Sequence, residues 1–350
     1  MPSCLIAAGG TAGHVLPALA VAESLLSRGA PVRLAGRPDS VEERLARSAG
    51  LEFDGFGVEG IPREASLRLA SALVRDAFAP AAALRILRRR RPDVVLGAGG
   101  YVGGPMVLAA GILRIPAALT EADAHLGLAN RLAAPFAERV YCAFPLEGLE
   151  GPKYRVVGRP IPARSRPPAE AAARHAFELP AEGPVVLVFG GSQGARSLNE
   201  AAFEAFAGEG PAVLHLAGER DFPDLERWPR REDYRLLAFT EEFGAALAAA
   251  DLVVARAGGS VWEVAAAGKP ALLVPYPHAT ADHQAKNARY FERGGGAVVV
   301  PEAELDLRRQ VDDLLADPAR LARMGAAMLA LAKPDAADVV AEELIALARA

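Results

Sequence analysis

Two glycine-rich turns carry the first chemical signal in this sequence. Gly9-Gly10-Thr11-Ala12-Gly13-His14 follows the apolar run Cys4 to Ala8, and Gly190-Gly191-Ser192-Gln193-Gly194-Ala195-Arg196 follows Val185 to Phe189. Each reads as a buried strand that ends in a loop and opens a helix. Glycine lets the backbone turn tightly and approach a ligand. The unpaired N–H groups and positive dipole of a helix start suit a phosphate. His14 stands where the first of these helices begins. An imidazole titrating near neutral pH suits a general base; capping or packing is its plain structural alternative. The spacing is not G-x-G-x-x-G, and no acidic residue closes the strand Pro31 to Ala35 to hold a ribose, which argues against a dehydrogenase.

The densest constellation lies in residues 251–287. A strand, Leu252 to Ala255, leads to Arg256, the turn Gly258-Gly259-Ser260, and a short helix carrying Glu263. A second strand, Ala271 to Val274, leads to a loop with Asp282, His283, Gln284 and Asn287. A sugar nucleotide requires such a set: backbone N–H groups for the diphosphate, a carboxylate for two ribose hydroxyls, amides for sugar hydroxyls. A salt-bridged surface helix beside a polar loop is the alternative. A further turn, Gly99 to Pro105 with Tyr101, and the cluster Glu121, Asp123 and His125 also follow strands. A tight turn with a packing tyrosine is the plain alternative for the first, and a solvated helix start explains the second nearly as well; placement beside the other loops favours a functional role.

The elements that must position these residues alternate between strand and helix. Strands are expected at Leu5–Ala8, Pro31–Ala35, Val94–Gly97, Ala117–Thr120 and Val140–Ala143, then at Val185–Phe189, Val213–Ala217, Tyr234–Ala238, Leu252–Ala255, Ala271–Val274 and Gly296–Val300. Such alternation predicts parallel sheets covered on both faces, with ligands beyond the carboxyl ends of the strands. Val157 to Pro168 holds four prolines and reads as an interdomain connection. At 350 residues two domains are expected: 1–158, joined by a C-terminal helix within 337–350, and 159–336.

Hydrophobic residues make up 51% and charged residues 23%, which permits a large core and excludes global disorder. The net charge of −4 argues against nucleic acid as a partner. It is uneven: 18 Lys+Arg against 15 Asp+Glu in residues 1–158, and 21 against 28 thereafter, so the first half suits an anionic surface. Cys4 and Cys142 are too few for a disulfide framework or a cysteine zinc site and fit a reducing compartment. No signal peptide or transmembrane helix is expected. Between Arg63 and Arg91, Leu67, Leu69, Leu73, Val74, Phe78, Leu84, Ile86 and Leu87 mix with Arg68, Arg75, Arg85 and the run Arg88 to Arg91. That mixture suits an anionic bilayer; a core helix with a solvated end gives the same pattern.

In order along the chain, Gly9 to His14, Gly99 to Pro105, Glu121 to Asn130, Gly190 to Asn199 and Arg256 to Asn287 resemble the MurG family of N-acetylglucosaminyltransferases. The resemblance covers nearly the whole chain. It implies the α/β GT-B glycosyltransferase fold, two Rossmann-like domains with parallel sheets facing across a cleft, the C-terminal helix crossing back onto the first. It implies an inverting hexosyltransferase that moves GlcNAc from UDP-GlcNAc to the C4 hydroxyl of MurNAc-(pentapeptide)-pyrophosphoryl-undecaprenol (lipid I), giving lipid II for peptidoglycan. No cofactor and no metal are implied. The placement implied is peripheral, on the cytoplasmic side of the cell membrane, against an anionic surface and in a cell-wall synthesis complex.

Residue by residue, the resemblance implies catalytic roles for His14 and Asp123. It implies donor contacts from Thr11, Ala12, Gly13, Asp123, Ser192, Thr240, Arg256, Gly258, Gly259, Ser260, Glu263 and Gln284, and acceptor contacts from Gly10, His14, Tyr101 and Glu121. Ser192 would meet the diphosphate, Glu263 the ribose, Gln284 the GlcNAc hydroxyls and the Thr240 backbone the uracil. The chain departs from the family's pattern in places. Asp123 stands for a common asparagine, Gly103 for a frequent serine, and Pro162 where some members have arginine; the turn from Arg256 to Glu263 is one residue shorter. Three other readings stay open: a different UDP-sugar transferase, a UDP-GlcNAc 2-epimerase of the same two-domain fold, and a non-catalytic nucleotide-sugar module.

Overall fold

The computed structural model describes residues 1–10, 12–58, 67–165 and 167–349. The chain divides into two compact units, Met1–Pro162 with Pro334–Ala350, and Ala163–Lys333. The first unit runs β1 (Cys4–Ala7), α1 (Ala12–Ser27), β2 (Val32–Gly36), α2 (Val41–Ser48), β3 (Glu52–Gly55), α3 (Leu67–Arg90), β4 (Val94–Gly97), α4 (Gly100–Leu113), β5 (Ala117–Glu121), α5 (Leu128–Ala133), β6 (Arg139–Cys142) and β7 (Tyr154–Val156). The second runs α6 (Glu170–Ala176), β8 (Val185–Phe189), α7 (Arg196–Phe206), β9 (Ala212–Leu216), α8 (Phe222–Leu225), β10 (Tyr234–Leu237), α9 (Phe243–Ala249), β11 (Leu252–Ala255), α10 (Val261–Ala266), β12 (Ala271–Leu273), α11 (His283–Arg293), β13 (Ala297–Val299), α12 (Leu307–Leu315) and α13 (Pro318–Leu331). The last helix, α14 (Ala336–Leu347), belongs to the first unit.

Both sheets are parallel. Their strand orders are β3-β2-β1-β4-β5-β6-β7 and β10-β9-β8-β11-β12-β13. Winding reverses between β1 and β4 in the first and between β8 and β11 in the second, so each unit has a crevice at that switch. The central strands read as continuous apolar runs because both faces are covered. Along β1, Leu5 and Ala7 join the layer of Val107 and Leu119, while Cys4 and Ile6 join the layer of Val15 and Ala18.

The second layer also holds Val340, Ala341 and Leu344, through which α14 seats on the first unit. Full burial of a leucine such as Leu344 contributes about 1.5–3 kcal/mol. Polar contacts fix its register: Arg28 pairs with Asp338 and Glu342 at 2.9 Å each, Ser24 Oγ donates to Asp338 at 2.7 Å, and Arg155 pairs with Glu343.

The strands β3 and β7 were not expected from the sequence. Both are edge strands, short and charged, which is how sheets blunt their edges and why no apolar run marks them. The buried Asp54 of β3 accepts both Nε and Nη2 of Arg90 at 3.0 and 2.7 Å, and Nη2 of Arg89 at 2.7 Å. Two arginines of the run Arg88 to Arg91 are therefore committed to the sheet edge rather than left for a partner. Among the described residues, no helix is long and apolar enough to cross a membrane.

Candidate active site

In the first unit the turns after β1 and β4 meet at the switch. Gly100 has a φ of +68° and lies so close to the Gly9 carbonyl oxygen that a Cβ there would collide with it. This contact brings His14 against the β4 turn, where a Cβ added to Gly99 would sit 2.8 Å from His14 Cδ2. Gly10 lies between His14 and Tyr101: a Cβ added there would be 3.8 Å from His14 Nδ1 and 3.5 Å from Tyr101 Cε1. Ala12 and Gly13 open α1; Thr11 lies outside the described residues.

Desolvation pushes the His14 imidazole below its ordinary value of 6.5, the charge of Arg159 pushes it the same way, and Asp123 opposes them. The ring is therefore neutral at neutral pH and able to accept a proton. Buried Arg159 donates Nη2–H to the Gly13 carbonyl at 2.5 Å, in the first turn of α1. Arg159 was missed in the sequence because it lies inside the proline-rich connection; a lone guanidinium between Gly158 and Pro160 is its only mark.

Glu121 ends β5 and is buried. Its Oε1 accepts the Asp123 N–H at 3.2 Å, and its Oε2 accepts the Gly127 N–H at 2.9 Å and Asn130 Nδ2 at 2.8 Å. Desolvation raises its pKa against the pull of these donors. Both oxygens are thus engaged inside the loop that presents Asp123.

In the second unit the corresponding turns are Gly190–Ala195, after β8, and Arg256–Ser260, after β11. Gly194 has a φ of +79°, and a Cβ there would strike the Ala217 carbonyl oxygen. Ser192 is exposed at the crest of its turn. A buried relay supports this turn. Tyr234 OH lies 2.7 Å from His215 Nδ1, His215 Nε2 lies 3.0 Å from Asn199 Oδ1, and Asn199 Nδ2 donates to the Ala217 carbonyl at 2.9 Å and to Asp221 Oδ2 at 3.0 Å. Since the Asn199 carbonyl accepts, His215 carries its proton on Nε2 and accepts from the tyrosine at Nδ1. Burial pushes His215 down to about 3, so the ring stays neutral.

Gly258 to Ser260 lead into α10, where Ser165 Oγ donates to Glu263 Oε1 at 2.6 Å and fixes that carboxylate. Gln284, in the first turn of α11, accepts the Tyr276 N–H at Oε1 (2.9 Å), so its amide oxygen is engaged by that loop's backbone. Buried Asn287 donates to the Ala257 carbonyl at 3.1 Å and holds the turn before Gly258. Thr240 Oγ1 accepts the Glu242 N–H at 3.1 Å just beyond β10. Arg256 is buried and pairs with Glu302. Gly10, His14, Tyr101 and Asp123 thus gather in one crevice, and Ser192, Arg256, Gly258, Gly259, Ser260, Glu263 and Gln284 belong to the turns and helix starts of the other.

Two family models match the chain. Residues 4–142 fit the Glycosyltransferase family 28 N-terminal domain and residues 185–340 the Glycosyltransferase family 28 C-terminal domain. A protein of Acidithiobacillus ferrooxidans is 41% identical, over 98% of this chain and 97% of that protein. It is named UDP-N-acetylglucosamine--N-acetylmuramyl-(pentapeptide) pyrophosphoryl-undecaprenol N-acetylglucosamine transferase. A protein of the same name from Halorhodospira halophila is 42% identical over 96% of both chains. This chain belongs to the MurG family. The crystal structure of Acinetobacter baumannii MurG superposes with a TM-score of 0.77 at 28% identity, covering 99% of this chain and all of that one. The family's two-domain fold is shared more widely: a Neisseria meningitidis UDP-GlcNAc 2-epimerase superposes at 0.67 with 14% identity, a likeness of fold alone.

One exposed surface has no motif to mark it in the sequence. Leu128, Leu132 and Phe136, spaced four apart, are exposed with Ile112, beside exposed Arg131 and Arg114. Scattered exposed leucines mean little, but four large apolar side chains on adjoining elements form a patch of the kind that meets a membrane or protein.

Proposed function

We propose that this chain transfers GlcNAc from UDP-GlcNAc to the C4 hydroxyl of lipid I, with inversion. The observation that carries the mechanism is the neutral His14 at the head of α1, in a switch-point crevice, with Asp123 within electrostatic reach. As the hydroxyl oxygen attacks the anomeric carbon from the face opposite UDP, His14 takes its proton, and Asp123 favours the imidazolium that forms. Glu121 acts through the loop it braces and sets where Asp123 stands. Tyr101 and Gly10 shape the wall beside His14.

In the second unit, Glu263 holds the ribose, the backbone beyond β10 at Thr240 reads uracil, and Gln284 presents its amide N–H groups to the sugar. The departing UDP gathers negative charge. Oriented backbone N–H groups of the Ser192 turn and of Gly258 to Ser260 meet it, and such donors need no reorganisation during the reaction. The acceptor's lipid tail requires a membrane surface, so we place the chain peripherally on the cytoplasmic face. The patch of Ile112, Leu128, Leu132 and Phe136 with its two arginines supports docking there.

The test is incubation with labelled UDP-GlcNAc, with and without lipid I. Label in the lipid with equal UDP release supports the reading. Lipid-independent isomerisation supports an epimerase, binding without UDP release a module, and transfer only to another acceptor a different transferase.

A further inference from the structure

Arg256 has its charge answered before any ligand arrives. Its Nη1 donates to the Val274 and Pro275 carbonyls at 3.1 and 3.3 Å, and its guanidinium lies 5.6 Å from the centre of the Tyr276 ring. Its Nη2 donates to Ser197 Oγ at 2.9 Å and forms an ion pair with Glu302 Oε2. The remaining donor, Nε, is buried with no partner. Ser197 stands in the first turn of α7, the helix opened by the Ser192 turn, and Glu302 comes from a separate segment beyond β13. A carboxylate brought from elsewhere in the unit therefore sits on a guanidinium at the helix start that best suits an anion.

We propose that Glu302 is a built-in anion that competes with a nucleoside diphosphate for Arg256, and so sets donor affinity and UDP release. The proposal rests on the second unit being the UDP-sugar site. A buried guanidinium without a counter-charge is costly, so the ligand-free protein needs Glu302. A diphosphate at the start of α7 brings more negative charge and several acceptors, and the orphaned Nε–H becomes a further donor for one of its oxygens once Glu302 is displaced. Two anions on one guanidinium repel each other, so each lowers the affinity for the other. Part of the binding free energy of the diphosphate is then used to loosen Glu302, which holds UDP less tightly after transfer.

A purely structural ion pair would be indifferent to ligand; a competitor is not. In the full chain, Glu302→Gln keeps an acceptor but removes the charge. Its Tm without ligand should fall, its UDP affinity by calorimetry should rise about fivefold or more, and the Tm increase at a fixed UDP concentration should exceed that of the wild type. Uridine, which lacks phosphates, should bind both proteins equally. UDP affinity equal to or weaker than wild type overturns the proposal, as does an equal gain for uridine. If Glu302→Gln does not fold, Glu302→Asp draws the charge back by one methylene and should shift UDP affinity the same way by less; no gain there overturns the proposal too. A wild-type protein that binds no UDP would instead defeat the proposed function.

Discussion

The two units share the central strand order 3-2-1-4-5-6, to which the first adds β7 at one edge, and a glycine turn after the first strand, yet their histidines are placed in opposite ways. His14 and His215 both have their pKa lowered by burial. His215 lies inside the unit between Tyr234 and Asn199, with both ring nitrogens occupied, and is pushed down to about 3. It cannot exchange a proton with a substrate without dismantling the relay under the Ser192 turn. His14 is only half-buried, at a crevice, with Arg159 and Asp123 pulling in opposite senses. The same imidazole is a fixed strut in the second unit and, in the proposed mechanism, a proton acceptor in the first. Solvent access and the number of ring nitrogens already engaged decide which.

The largest expected effect tests the reacting member. His14→Ala should lower kcat about 10²–10⁴-fold, the usual cost of removing a positioned base, with Tm and UDP affinity kept. Asp123→Asn should cost far less; the reverse ranking, read from initial rates at saturating substrates, would transfer the base to Asp123.

The strut should behave otherwise. His215→Leu leaves Tyr234 OH and Asn199 Oδ1 buried without their partner, a loss on the order of 2–4 kcal/mol in urea unfolding at pH 7. The wild type should also weaken as pH falls. The unfolded imidazole takes a proton below 6.5 while the folded one resists until about 3. Stability is therefore intact above 6.5 and declines by about 1.4 kcal/mol per pH unit below it. The leucine variant should lack that component, and urea titrations at pH 7 and pH 5 compare the two slopes. An unchanged slope would remove His215 from the account.

Within the binding unit, Glu263→Ala should raise the donor KM roughly tenfold, the loss of a charged hydrogen-bond acceptor. The acceptor KM should stay within error; movement of that constant alone would break the ribose assignment. The smallest effect returns to His14. Arg159→Gln removes a cation that lowers its pKa, so the acid limb of kcat/KM should move to higher pH, whereas Asp123→Asn should move it lower. A shared direction, or none, would mean that the limb reports another group.

Much of the fold was legible in the amino-acid pattern because central parallel strands announce themselves: Val94–Gly97, Val185–Phe189 and Leu252–Ala255 fall where continuous apolar runs place them. The glycine turns were legible for a related reason, since only glycine tolerates the close approach of Gly100 to Gly9. Edge strands were not, because Glu52–Gly55 and Tyr154–Val156 are short, largely uncovered and carry charged residues. The run Arg88 to Arg91 misled in part. Its charge is visible in sequence, but the partner of Arg89 and Arg90 is Asp54, which follows β2 and lies far back along the chain.

The amino-acid order alone determined where strands end, which turns need glycine, and which family of transferases the chain resembles, because these depend on local sterics and short-range spacing. Tertiary structure decided what each ionisable group is available to do. Glu121 is spent on its own loop, Arg256 is neutralised by Glu302, Arg159 reaches Gly13 from 146 residues away, and His215 is sealed between two partners. The charge and reach of a side chain are set by neighbours that only folding supplies, and by the water that folding removes.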